Sequence, residues 1–86
     1  MNFTVVWARE AEAELADICM NVADRGMIAE LANMLDRELA NDPNVVGESR
    51  QNQQRITYCL PLGIQFQVFE ADRLVRVLAV WLCRPR

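Results

Sequence analysis

Residues 55–83, RITYCLPLGIQFQVFEADRLVRVLAVWLC, decide the fold. Their apolar residues recur at every second position, the period of a half-buried strand. Ile56, Tyr58 and Leu60 alternate with Arg55, Thr57 and Cys59, and Ile64, Phe66 and Val68 alternate with Gln65, Gln67 and Phe69. Pro61-Leu62-Gly63 reads as a turn, since proline fixes φ at the first central position and Gly63 relieves the exit. Ala71-Asp72 is a tighter reversal. The last segment, 73–83, is apolar on both sides: Val75, Val77, Ala79 and Trp81 on one, Leu74, Leu78, Val80 and Leu82 around Arg76 on the other. Such a strand belongs in the middle of a sheet.

Toward the N-terminus the period lengthens. Ala8, Ala11, Leu15, Ile18 and Val22 are spaced by three and four, which predicts an amphipathic helix over 8–22 with Glu10, Glu12, Glu14 and Asp17 in solvent. Asp24 is placed to cap a second helix whose apolar stripe is Ile28, Leu31, Leu35 and Leu39. Asn41-Asp42-Pro43-Asn44 ends it, because proline cannot continue the hydrogen-bond ladder. A connection at 23–25 is short enough only for an antiparallel helical hairpin. Phe3 to Trp7, aromatic and β-branched, makes a first strand, and Gly47 to Gln54 a polar loop.

The predicted class is therefore α+β. The order is β-α-α-β-β-β, a helical hairpin packed on one face of a four-stranded antiparallel sheet. Counting reversals makes the last strand run opposite to the first and pair with it, with Val5 beside 77–79. Ile18, Leu31 and Leu35 are expected to pack on that sheet.

Composition limits the chemistry. At 86 residues the chain supports one domain, 1–86, and one modest core. A hydrophobic share of 52% with 24% charged residues excludes a disordered chain. No apolar run is long enough to span a membrane, and Met1-Asn2-Phe3-Thr4 has no signal-peptide profile; a soluble cytoplasmic protein is expected. There is no His, which removes the usual general base and most zinc sites. Cys19, Cys59 and Cys83 lack metal-site spacing and read as free thiols, so neither metal nor cofactor is expected. All nine basic residues are Arg and the net charge is -3, which argues against a general nucleic-acid binder. Acids crowd the first half and arginines the second, which places a positive face on acidic architecture.

The ordered set Val5-Val6-Trp7, Ala11 to Ile18, Leu35-Asp36-Arg37-Glu38-Leu39, Asp42-Pro43, Gly47 to Arg50 and Arg76-Val77-Leu78-Ala79-Val80-Trp81 resembles the RelE/ParE superfamily. These are toxins of type II toxin–antitoxin systems, also described as plasmid stabilisation proteins. The resemblance covers nearly the whole chain and implies a strand order of 1-4-3-2. It also implies a small antitoxin as partner. One branch of the superfamily cleaves mRNA on the ribosome; another inhibits DNA gyrase. The ribonuclease branch relies on basic residues of the later strands and a C-terminal tyrosine or similar group. Here Gly63 stands where an arginine is expected, Arg84 is followed by no tyrosine, and there is no Lys.

Arg50, Arg55, Arg73, Arg76 and Arg84, with Leu78 between them, are the candidate partner-binding set, contacting an acidic partner or phosphate. Arg55 leads because its alternation places it opposite the apolar Ile56 and Tyr58. Read alternatively, these arginines solvate the sheet and pair with Glu48, Glu70 and Asp72. Arg55, Arg84 and Tyr58 are the catalytic candidates for a metal-independent endoribonuclease, although Tyr58 shares parity with Ile56 and is expected to pack. Trp7 and Trp81 read as core or groove aromatics. An apolar stripe of Phe69, Leu74, Leu78 and Leu82, rimmed by arginines, is expected to receive an acidic antitoxin segment or a second copy of the chain.

Overall fold

In a computed structural model, which describes residues 2–83, the order is β1 (Thr4–Trp7), α1 (Arg9–Asn21), α2 (Arg25–Asn41), β2 (Glu48–Ser49), β3 (Gln54–Cys59), β4 (Leu62–Phe69) and β5 (Leu74–Leu82). The helices begin and end within a residue or two of the expected positions. Asp24 caps α2 as expected, its carboxylate accepting the Met27 N–H at 3.0 Å. Pro43 follows the last turn and opens a short 3-10 turn, Pro43–Val45.

The sheet departs from expectation in two ways. Among the described residues it has five strands in the order β1-β5-β4-β3-β2, and it is mixed: β1 runs parallel to β5, whereas the remaining pairs are antiparallel. The fifth strand, β2, lies inside the polar loop and is two residues long, too short to show a period. The direction of β5 follows from one reversal fewer than expected. Ala8 donates its N–H to the Val77 carbonyl, and further on Glu14 accepts the Val80 N–H at 3.1 Å. Thus α1 keeps advancing along β5 after leaving β1. Only the turn at 22–24 sends the chain back, and α2 ends where β1 starts, with Phe3 N–H donated to Ala40 C=O at 2.7 Å. The expected 1-4-3-2 order of the long strands holds once β2 is set aside.

The core lies between the helices and one face of the sheet. Ala11, Ile28, Leu35 and Leu39 meet Leu62, Ile64, Phe66, Val75 and Val77, all at 0–2% exposure. Ile18 and Leu31 pack half-buried at its margin. Val5 pairs with Val75, two residues before the expected stretch. A bulge at Leu78 also breaks the alternation of β5: Phe66 faces Val77, but Gln65 faces Ala79. Val80 therefore joins Val75 and Val77 on the covered side, and Ala79 and Trp81 move to the other.

Candidate functional site

The helices cover one face of the sheet, so the other face is the surface available for function. Registers place three cross-strand rows on it. Val6, Arg76, Gln67 and Gln54 form the first, Ala79, Gln65 and Ile56 the second, and Trp81, Gly63 and Tyr58 the third. Two amides tie the rows to β3: Gln65 Nε2 donates to Gln54 Oε1 at 2.5 Å, and Gln67 Nε2 to Asn52 C=O at 3.0 Å.

The third row is built around a missing side chain. Gly63 lies within β4 rather than at a turn exit; the reversal is made by a cis Leu60–Pro61 peptide one step earlier. A Cβ on Gly63 would sit 2.5 Å from Trp81 Nε1, so the glycine lets the indole lie directly on the backbone. Tyr58 then meets Trp81 edge to face, with ring centroids 6.2 Å apart and planes at 79°. Tyr58 is 58% exposed, so the expectation that it packs is corrected in this respect: it touches Trp81 on the open face and is not covered by the helices. The reason is register: Tyr58 opposes Gly63, and the residues of β3 opposite buried Ile64 and Phe66 are Thr57 and Arg55. Alternation identified two faces on β3 correctly but assigned them in reverse.

Arg55 is accordingly corrected as well. It sits on the helix-facing side, where its Nε donates to Val46 C=O at 2.8 Å and an Nη to Gly47 C=O at 2.9 Å. These bonds fasten the loop before β2. Gly47 adopts φ +69, and a Cβ there would lie 2.2 Å from the Ile56 carbonyl oxygen. Arg55 also borders a shallow cleft of about 160 Å³ with Asn44, Ser49, Gln53 and Glu70.

The other arginines are dispersed. Arg50 pairs with Glu48 at 3.3 Å and donates to Ser49 C=O. Arg73, in the left-handed region at φ 51, places its guanidinium 5.1 Å from the centre of the Phe3 ring. Arg76 alone among the described candidates stands exposed in the middle of the open face. Leu78 is the half-buried bulge residue. Leu82 faces buried Leu62 and so leaves the stripe expected with Phe69 and Leu74. Arg84 lies outside the described residues.

The structure thus brings Arg76 and Tyr58 to one face, and adds Trp81, Gln65 and Gln67. The signal for Trp81 was present in Gly63, whose need to be glycine is met across the strands and not along the chain. Trp7 differs: its indole donates to Asp36 at 2.7 Å and joins β1 to α2. Burial pushes the Cys59 thiol above its ordinary value, with the charge of Glu38 adding to it, so this cysteine stays protonated at neutral pH. Among the described residues no three His, Cys, Asp or Glu side chains are grouped to hold a metal ion. No helix is long and apolar enough to cross a membrane.

No known family model and no curated protein matches the sequence. Solved structures do. The isolated RelE toxin of E. coli aligns over 98% of this chain and 87% of its own, at 12% identity and TM-score 0.73. A chain of the chromosomal ParDE toxin–antitoxin system of P. aeruginosa aligns over 95% and 97%, at 15% identity and TM-score 0.65. TrmO of Pseudomonas aeruginosa aligns over 93% of this chain but 35% of its own, at 21% identity and TM-score 0.64. The helical hairpin, the mixed sheet and their near end-to-end correspondence give one conclusion: this chain has the fold of the RelE/ParE toxins.

Proposed function

We propose that this protein is the toxin component of a type II toxin–antitoxin system and acts by binding proteins: a small antitoxin and a cellular target such as DNA gyrase. The observation that carries this reading is the alignment with the isolated RelE toxin over nearly the whole of both chains. The open face favours binding over cleavage. RNA cleavage without a metal needs several cations around the scissile phosphate and a group that moves a proton. Of the described candidate arginines, Arg55 is held by two backbone carbonyls, Arg50 by Glu48, and Arg73 lies over the Phe3 ring, leaving Arg76 on the face.

One observation favours a second reading, a ribosome-dependent endoribonuclease with an atypical arginine set. Tyr58 is exposed on the open face, where a proton donor would have to stand. Induced expression, alone and together with the product of any short reading frame found next to its gene, tests both. The expected outcome is growth arrest relieved by co-expression, with mRNA on translating ribosomes left intact. Codon-specific cleavage abolished by Tyr58→Phe would establish the second reading; no arrest and no complex would leave an interaction module of the same fold.

A further inference from the structure

The third row of the open face has features that protein binding in general does not require. Two aromatic rings stand nearly perpendicular, one laid on a glycine, with Tyr58 exposed beside it. The Trp81 N–H donates to no described acceptor, and no unpartnered side-chain nitrogen or oxygen is buried among the described residues, so this donor reaches solvent. An exposed Tyr/Trp pair with a free indole N–H has the chemistry that receives a polyproline II segment. The rings take the pyrrolidines, and the indole donates to a ligand carbonyl that no intramolecular bond occupies.

Charge selects among such segments. Arg76 is opposite Gln67, and Trp81 opposite Gly63, so they stand four β4 residues apart, about 13 Å. A polyproline II chain covers that span in about four residues. Glu48, the carboxylate that register places on this face, is at its far edge and is paired with Arg50. The guanidinium of Arg76 is therefore met by no acid of this chain among the described residues. We infer that the open face docks an extended, proline-bearing acidic peptide segment, with proline against the Tyr58–Trp81 ring pair and a carboxylate about four residues away on Arg76. A single-stranded nucleic acid would also stack on aromatics, but it needs a track of cations, and among the described residues this face of a net acidic protein presents one guanidinium, that of Arg76. The inference rests on the protein-binding reading and specifies the chemistry of the bound segment.

The two tryptophans supply their own control. In the nitrogen-15-labelled protein the indole N–H of Trp7 is held by Asp36, and that of Trp81 is open. The probes are a peptide with a run of prolines flanked by glutamates, the same peptide with lysines, and an oligouridine. The acidic peptide is expected to shift the Trp81 indole resonance saturably and leave Trp7 in place, with the lysine peptide much weaker. Trp81→Phe keeps a ring over Gly63 and removes the donor; it should weaken binding about fivefold. Arg76→Glu, at an exposed position that does not threaten folding, should weaken it about tenfold. Oligouridine shifting Trp81 where the acidic peptide does not would overturn the proposal in favour of nucleic acid. An unmoved Trp81, or peptide binding indifferent to Arg76→Glu, would overturn it outright. If the antitoxin still forms its complex while Trp81 stays unmoved, the toxin reading stands and this inference alone falls.

Discussion

Along β4 the odd and even residues live in different environments. Leu62, Ile64, Phe66 and Val68 are sealed under the helices at 0–3% exposure, whereas Gln65 and Gln67 lie half-buried among amides and rings on the other side. Both sides are tightly organised, but by different forces. The covered side is ordered by close packing of apolar volume. The open side is ordered by cross-strand amide bonds and one ring laid on a glycine, and it keeps donors available to a ligand. A face built the first way holds the protein together; a face built the second way is prepared to bind.

That contrast can be broken by substitution. Phe66→Ala should cost about 3–5 kcal/mol, because the helices cannot collapse into the hole it leaves. Denaturant unfolding measures this; a loss below about 1 kcal/mol would mean the helix-covered side is not the core. Gly63→Ala should cost about 1–3 kcal/mol by driving a methyl into the indole, and should move Trp81 emission toward that of a solvated indole. If stability and emission both stay unchanged, the indole does not rest on Gly63. Trp7→Phe should cost about 1 kcal/mol through its lost bond to Asp36, whereas Trp81→Phe, whose N–H has no partner to lose, should cost less.

Finer effects sharpen the comparison. Arg76→Gln should alter stability by no more than about 0.5 kcal/mol, since its exposed guanidinium makes no hydrogen bond or ion pair with the described residues. Cys59, opposite Leu62, adds a pH signature. Burial raises its folded pKa above the ordinary thiol value, so folding holds the proton. Stability is therefore full below pH 9 and declines as pH rises through the folded value. Cys59→Ala should remove that decline in an alkaline titration of unfolding, and a decline of equal size in the variant would assign it to other groups.

The same contrast shows which features could be read from the chain. Period and punctuation located both helices, the Asp24 cap, the stop at Pro43 and the three long strands, because each rests on neighbours in sequence. The direction of β1 against β5 depended on how the chain leaves Ala8, where one linking residue permits either path. The bulge at Leu78 exchanged Ala79 and Val80 between faces, and no local pattern announces a bulge inside an apolar run. For Arg55 and Tyr58, alternation supplied two sides without saying which one the helices cover. At β3 the covered side is near the sheet margin, so its residues are polar enough to pass for solvent-facing ones. Arg76 was legible because an arginine inside an otherwise apolar strand has few places to put its charge.

The hydrogen bond from Val80 to Glu14 has a consequence for the protein at high concentration. Strand β1 has four residues against nine in β5, so the upper flank of the most apolar strand would offer a bare ladder edge. Bare edges recruit strands from other molecules and begin aggregates. Here helix α1 runs along that flank, and a carboxylate oxygen occupies the Val80 N–H that an incoming strand's carbonyl would need. An intruding chain must displace an anion before it forms its first rung. The residue that shows which way the helix travels therefore also guards the sheet against open-ended growth.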